Sequence, residues 1–279
     1  MAITSTSLIE SVRIPEQTKP WWHQTPEYIL AGLRLCSKDI SGLLTLVGLF
    51  CLPPLAASFI GSQPGPIASL LAQVLPWITI ILGNISLVLA IEAIDSGQSV
   101  IPAQILPAAL RGLPRYLWAN GITTLLFWGI FTPLQWLVGL WAAHLGWPWF
   151  APTLMLLLPM LFWHVHLVFA TYAAVIDHHS GVRSVLISIR LTNKRWLLIA
   201  AAFAGSVLVE APIAAPLYLL ILHLANPLVA SGFTWMLVMG MRPIFVATLH
   251  EIYEDFRPTP LLLPSSPVPV RAENDSQIV

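Results

Sequence analysis

The sequence predicts an all-α, polytopic membrane protein with about six transmembrane helices, arranged as three parallel two-helix repeats. The first observation is composition, because 57% of the 279 residues are hydrophobic and only 9% are charged, whereas soluble domains carry about 25% charged residues. The second is a set of six apolar runs, each long enough to cross a bilayer as a helix. The third is a basic motif that recurs at nearly constant spacing along the chain.

The six apolar runs each reach the roughly 20 residues that a transmembrane helix needs. The first four contain no Lys, Arg, Asp or Glu, whereas the fifth contains Glu210 and the sixth contains Arg242. Several runs contain proline, which predicts kinked helices whose freed carbonyl groups are satisfied by neighbouring helices. The predicted spans are residues 40–60, 67–91, 116–141, 150–176, 196–222 and 228–249.

The distribution of positive charge predicts how the spans are oriented. Of the thirteen Lys and Arg residues, all except Arg242 lie in the N-terminal segment, the C-terminal segment or the second and fourth loops. By the positive-inside rule, both termini are expected in the cytoplasm. The chain then divides into a cytoplasmic segment at 1–27, a six-helix transmembrane domain at 28–257 and a disordered, Pro-rich cytoplasmic tail at 258–279.

Self-comparison places three copies of one unit at 28–103, 104–182 and 183–257. Each copy begins with a short basic helix, in which an arginine is followed four residues later by a second cation. This spacing puts both charges on one face, as in an amphipathic helix at the cytoplasmic interface with its cations towards anionic lipid headgroups. Three interpretations stay open: the charges only fix topology, they recognise specific lipids, or they dock a partner protein. The residues are Arg34 and Lys38, Arg111 and Arg115, and Arg190 and Lys194.

The repeated element resembles that of known bacterial membrane proteins. In the segment AAVIDHHSGVRSVLISIRLTNKRWLLIA, a span ends in a short acidic turn, and an amphipathic basic helix leads through Trp into the next span. This is similar to bacterial six-helix membrane proteins of the YciC and glycerophosphodiesterase-membrane-domain type. The N-terminal part, WWHQTPEYILAGLRLCSKDISGLLTLVGLF followed by LVLAIEAIDSGQSV, is similar to a largely uncharacterised proteobacterial inner-membrane family. The resemblance covers most of residues 21–257 and implies the fold and a bacterial inner-membrane location, but no activity.

Polar side chains within the predicted spans are candidate functional residues, because each charge there costs about 2.5–3.5 kcal/mol on insertion scales. Glu210 and Arg242 lie at similar depths on consecutive antiparallel helices, so we expect them to pair. Aligning the copies matches Asn84 with His166 and sets Arg242 opposite His164. Under threefold packing these groups converge on one axis or cavity, whereas the alternative is ordinary hydrogen bonding between helices.

A second polar group lies at the predicted cytoplasmic face. His178 and His179 follow the fourth span beside Asp177, and His250 and Glu254 lie near the end of the sixth. His250 and Glu254 are four residues apart, a helix spacing that can chelate a metal ion. Because this pattern is short and common, we expect solvated polarity and helix capping here, with no metal and no cofactor.

The sequence contains no P-loop, HExxH, GxSxG or GxGxxG motif, so we do not expect an enzyme. A formal net charge of zero argues against nucleic-acid binding. We expect a non-catalytic membrane protein that organises lipids or partners through its basic helices, the partner being another membrane protein or a second copy of the chain. One alternative is a transporter or channel for a small molecule, ion or lipid that uses the intramembrane polar residues. The other is an intramembrane enzyme that acts on lipid.

Overall fold

A computed structural model describes residues 20–60, 65–148, 151–193, 195–223 and 227–257. Every regular element in those ranges is an α-helix, which confirms the predicted all-α class. Residues 1–19 of the predicted N-terminal segment, the predicted tail at 258–279 and Lys194 lie outside the described residues. In chain order the helices are α1 (Trp21–Lys38), α2 (Ile40–Ile60), α3 (Pro66–Asp95), α4 (Pro102–His144), α5 (Ala151–Leu167), α6 (Ala170–Val175), α7 (Gly181–Thr192), α8 (Trp196–Leu222) and α9 (Pro227–Phe256).

Three of the described helices are long and apolar enough to cross a membrane, namely α2 over Ile40–Ala57, α3 and α4. The bent pair formed by α7 and the first part of α8 counts as a fourth when it is taken as one span. A shorter apolar stretch runs over Pro159–Val175. By length and composition, the described helices are compatible with a membrane protein, but fewer of them qualify as spans than the six predicted.

Asp39 separates the first basic helix, α1, from α2. Its side chain accepts hydrogen bonds from the backbone N–H groups of Gly42 (3.0 Å) and Val100 (2.7 Å). These bonds cap the start of α2 and fix the loop that follows α3 to the same point. They also stabilise the charged carboxylate, which lowers the pKa of Asp39 below its usual range.

α1 packs on α8 and α9 through its apolar face. A Cβ atom on Gly32 would lie 2.7 Å from the backbone nitrogen of Thr248, and one on Gly205 would lie 2.4 Å from Ile29. Arg34 is on the exposed side of the same helix. α1 therefore buries its apolar face against the other helices, and it presents its cations to the surroundings.

The second basic helix is not a separate element, which corrects the sequence prediction. Arg111 and Arg115 belong to α4, a continuous helix of 43 residues. The position that aligns with Asp39 is occupied by Tyr116, which is buried. Because Tyr116 does not compete for backbone hydrogen bonds as Asp does at helix ends, the helix continues from the basic motif into the apolar run.

The third basic helix, α7, meets α8 at an angle of 94° and closes a break between α5 and α6. Ser188 of α7 donates a hydrogen bond to the carbonyl oxygen of His166 (2.7 Å) and accepts one from the backbone N–H of Phe169 (3.1 Å). Both backbone groups belong to interrupted helix ends in the buried interior. Ser188 therefore satisfies atoms that the break would otherwise leave without a partner.

The C-terminal ends of α3, α6 and α9 lie together at one end of the bundle, beside α1. Three contacts define this end: Tyr253 with Asp177, Tyr28 with Asp255 (2.6 Å) and His250 with Asp95 (3.6 Å). Burial, together with the Asp255 carboxylate that accepts its hydrogen bond, raises the pKa of Tyr28 above its usual range. Asp95, Asp177 and Asp255, which lie at or near the end of the last helix in each predicted copy, therefore contribute to one shared polar end.

Candidate functional site: a polar cavity between the helices

The described helices border a partly open cavity of about 480 Å³ between α3, α4, α5, α6, α8 and α9. This volume falls within the range of about 300–1,000 Å³ that is typical of small-molecule sites. Its wall is a mixture of polar and aromatic side chains. The polar members are Asn84, Tyr116, Asn120, Thr123, Thr124, His164, Thr171, Tyr172 and Arg242.

If α3 and α9 span a bilayer, the cavity lies at a depth that the bilayer covers. Asn84 is eleven residues from the end of α3 at Asp95, and Arg242 is fourteen residues from the end of α9 at Phe256. At 1.5 Å per residue these positions lie roughly 16 and 21 Å from the helix ends. The hydrocarbon core of a bilayer is about 30 Å thick, so both side chains lie within it if the helices span.

Arg242 is the one charged residue among the described residues that line the cavity. Its guanidinium group donates a hydrogen bond to the side-chain oxygen of Asn84, and the Asn84 amide in turn donates to the hydroxyl group of Tyr116 (3.4 Å). Within the described part of the chain, Arg242 forms no ion pair. A guanidinium group carries five N–H donors, and a neutral amide does not cancel its charge. The cavity therefore offers an anion an uncompensated positive charge with hydrogen-bonding capacity to spare.

Aromatic rings form the apolar part of the wall. Phe203 of α8 and Phe245 of α9 meet edge to face, with ring centroids 5.2 Å apart, and Phe127 and Trp128 of α4 line the cavity as well. Such rings contribute large apolar surfaces and fixed contact geometry. A ligand with one charged end and an apolar body matches this lining better than a bare inorganic ion.

Glu210 does not pair with Arg242, which corrects the sequence prediction. The contact between Phe203 and Phe245 sets the register of the antiparallel helices α8 and α9. Glu210 is seven residues from this contact along α8 and Arg242 is three residues from it along α9, and no ion pair joins the two side chains among the described residues. The Oε1 atom of Glu210 is buried and has no hydrogen-bond partner among the described residues.

The two histidines of α5 have different surroundings. His164 lies on the cavity wall, and its ring centroid is 6.3 Å from that of Phe203. His166 is buried, and its Nδ1 atom lies 2.7 Å from the carbonyl oxygen of Phe162 on the same helix. Since residues two apart on a helix point in different directions, the structure brings His164 together with Asn84 and Arg242, and leaves His166 outside.

Sequence reasoning missed the contribution of α4 to the cavity. Tyr116, Asn120 and Thr123 follow one another at spacings of four and three residues, which places them on one helix face. All three line the cavity. The sequence contains this polar stripe, but the stripe lies in the predicted span at 116–141, which has no charged residue. A search for charged residues within the spans therefore does not find it.

The basic residues of the three motifs lie on the surface of the described helices. Arg34, Lys38, Arg111 and Arg115 are exposed and Arg190 is half-buried. Large apolar side chains are exposed on the same helices, among them Leu30, Leu110 and Leu186. Cations beside exposed apolar side chains are typical of a helix at a membrane–water interface.

The polar group near the end of α9 only partly forms as the sequence predicts. His250 and Glu254 lie together, and Glu92 of α3, which sequence reasoning did not single out, joins them. His178 and His179 lie outside this group. Glu92 was not predicted as a partner because it lies 158 residues before His250 in the sequence. Only the packing of α3 against α9 brings the two together.

Comparison with protein-family models, with curated proteins and with solved structures found no match. The resemblance to YciC and glycerophosphodiesterase-membrane-domain proteins therefore stays a prediction. A function for the chain is therefore inferred from the geometry of the cavity and of the exposed basic helices.

Proposed function

We propose that this chain is a transport protein that binds a small organic anion with an apolar body in the cavity around Arg242 and moves it across the membrane. The observation that carries the proposal is the Arg242 guanidinium group, which lines a cavity at bilayer depth and has a neutral amide as its hydrogen-bond partner. A charge in this position is costly. An anionic ligand in the cavity would offset the free-energy cost of burying the Arg242 charge. The protein would bear that free-energy cost again when the ligand leaves.

The chemistry of the wall defines the ligand class. Arg242 selects for negative charge, and the hydroxyl and amide groups of Tyr116, Asn120 and Thr123 supply further hydrogen bonds. Opposite them, the rings of Phe203 and Phe245 favour an aromatic or alkyl body. The arrangement suits a monoanion such as a carboxylate, a sulfonate or a phosphoester that carries an apolar group.

The membrane arrangement that goes with this function has six spans, formed by α2, α3, most of α4, α5 with α6, α8, and α9. It places both termini in the cytoplasm of a bacterial inner membrane and treats the three copies as parallel repeats. The proposal is supported by the positive-inside pattern, by the common end at which α3, α6 and α9 finish, and by the family resemblance. Within the described residues, α1 and α7 then lie along the cytoplasmic interface.

A second candidate function is favoured by the exposed basic helices. Arg34, Arg111 and Arg190, with their exposed leucine neighbours, would hold anionic lipid headgroups or a partner membrane protein without any catalysis. Such a role requires neither a cavity nor a ligand within the membrane. It differs from the transport proposal in the residues on which it depends.

A matched pair of probes tests the transport proposal. Benzenesulfonate is a permanent anion, whereas benzenesulfonamide has nearly the same shape without the charge. We expect millimolar benzenesulfonate, but not the sulfonamide, to raise the melting temperature of the purified protein, because only the anion neutralises Arg242. In proteoliposomes, the protein should accelerate entry of radiolabelled benzenesulfonate, which crosses lipid slowly by itself.

Two variants distinguish the cavity from the protein surface. Arg242→Gln should lose both the thermal shift and the uptake, because the hydrogen-bonding group remains and the charge does not. Arg115→Gln removes an exposed charge from α4 outside the cavity and should keep both. Equal responses to the two probes, or an Arg242→Gln protein that still responds to the sulfonate, would refute the proposal.

A further inference from the structure

Three potential metal ligands meet at the polar end of the bundle, away from the cavity. They are Glu92 near the end of α3, and His250 and Glu254 on one face of α9. One ligand atom from each residue lies within 4.8 Å of the ligand atoms of the other two. A fourth group, Asp95, has its Oδ2 atom 3.6 Å from the Nε2 atom of His250.

His250 is the member of this group that points to a ligand. Its side chain is 1% exposed, and neither ring nitrogen has a hydrogen-bond partner among the described residues. Buried polar atoms are nearly always hydrogen-bonded, so an imidazole with two unsatisfied nitrogens requires an explanation. Its Nε2 atom is directed at the carboxylates of Glu92 and Asp95, at 3.7 and 3.6 Å.

The distances from His250 to the Glu92 and Asp95 carboxylates fit ligands of one shared cation better than they fit direct hydrogen bonds. A nitrogen–oxygen hydrogen bond is about 2.7–3.2 Å long, and both contacts to His250 exceed that length. Two ligands at roughly 2.0–2.2 Å from a shared metal ion lie about 3.3–3.6 Å apart when the geometry is tetrahedral. Small side-chain movements would bring Glu254 to the same distance, since its spacing from His250 is one helical turn.

We infer that Glu92, His250 and Glu254, with Asp95 beside them, form a binding site for one divalent first-row transition metal ion, such as Zn²⁺ or Mn²⁺. Imidazole favours such ions over Mg²⁺ and Ca²⁺, and carboxylates complete the set. The bound ion would join the end of α3 to the end of α9. The half-exposed carboxylates leave the site open to the aqueous phase, which allows the metal to enter without passing through the bundle.

Arg257 is the neighbour that opposes metal binding. Its guanidinium group donates to both oxygens of Glu254, at 3.0 and 3.3 Å, and competes for that carboxylate. Arg257 also pairs with Asp177, so it keeps an anionic partner if Glu254 turns to a metal. The competing explanation for the cluster is a protonated His250 held between Glu92 and Asp95 without any metal.

Metal content and thermal stability test the site directly. The protein is purified with a tag that contains no histidine, stripped with chelator and dialysed against micromolar Zn²⁺ or Mn²⁺, and bound metal is counted by mass spectrometry. We expect about one ion per chain and a melting temperature raised by about 5 °C or more at saturation. Glu92→Gln keeps the shape of a partly exposed side chain and should weaken metal affinity at least tenfold.

Glu251→Gln is the matched control, because it removes the neighbouring carboxylate of α9 that lies outside the cluster. It should retain the metal and the thermal shift. The inference is overturned if the folded wild type binds no stoichiometric metal, since the cluster is then a protonated-histidine ion pair only. It is also overturned if Glu92→Gln binds metal as tightly as the wild type, because the ion then lies elsewhere.

Discussion

Two buried serines of α7 illustrate how much depends on the partner of a single hydroxyl group. Ser188 bridges the broken junction of α5 and α6 through the His166 carbonyl and the Phe169 amide. Ser184 is equally buried, but its hydroxyl donates to the carbonyl of Ser180 (2.9 Å), which already accepts the Ser184 amide, and more weakly to the carbonyl of His179 (3.3 Å). Ser188 therefore joins backbone groups from two broken helix ends, whereas Ser184 bonds to carbonyls just before its own helix, one of which already has a backbone partner.

Ser188→Ala is expected to reduce the free energy of unfolding by about 1–3 kcal/mol, because it leaves a buried amide and a buried carbonyl without partners. Denaturation in mixed detergent micelles measures this change. Ser184→Ala is the matched control on the same helix, and we expect a loss below about 1 kcal/mol. Equal losses in the two variants would contradict the role assigned to Ser188.

At the residue scale, the sequence predicts which polar groups occur within the apolar helices better than it predicts their partners. Aligning the copies matched Asn84 with His166 and set Arg242 opposite His164. The structure places Asn84, His164 and Arg242 on one cavity and leaves His166 outside it. The predicted Glu210–Arg242 pair failed because the packing of α8 on α9 sets the two residues at different distances from the Phe203–Phe245 contact. The register between α8 and α9 depends on the contact between Phe203 and Phe245, which no short sequence motif predicts.

At the scale of whole helices, close approach of backbones explains how α1 is held. Gly32 lets α1 approach α9 until a Cβ atom would lie 2.7 Å from the Thr248 nitrogen. The neighbour is backbone, which cannot rotate away as a side chain does. Small residues are common at such helix contacts in membrane proteins for this reason.

Gly32→Ala should therefore force α1 away from α9 and cost about 1–3 kcal/mol. In Gly48→Ala, on α2, the new methyl group meets no heavy atom within 4 Å, so the better helix propensity of alanine should leave stability unchanged or raise it by up to about 1 kcal/mol. The same denaturation measurement compares them. A Gly32→Ala protein as stable as Gly48→Ala would contradict the packing described for α1.

The helices themselves were predictable where a residue with strong local preference marks a boundary. Asp39 ends the first basic helix and caps α2, and a break at Asn193 separates α7 from α8. The second copy has Tyr116 at the position of Asp39, and there the predicted boundary does not exist. Turn-forming side chains, more than the basic motif, decide whether a basic segment becomes a separate helix.

For the molecule as a whole, α9 connects the two candidate sites. Arg242 on the cavity wall and His250 in the polar end cluster are eight residues apart on this helix, which corresponds to about 12 Å. The clustered acids and cations lie at one end, and the aromatic cavity lies within the bundle. This separation of charged end from apolar interior is what composition and the positive-inside pattern predict for a membrane protein. The cavity forms by the packing of six helices that are distant in sequence, so no short sequence pattern predicts it.

Native mass spectrometry of the protein extracted gently from its own membrane tests the central claim most directly. The account predicts a small organic anion bound at one copy per chain in the wild type and in a variant with Arg34, Arg111 and Arg190 changed to Gln. The same adduct should be absent from Arg242→Gln. A wild-type protein that carries no such anion, or an adduct with the mass of a membrane phospholipid that is lost only from the triple variant, would contradict the intramembrane anion site and favour the lipid-organising role.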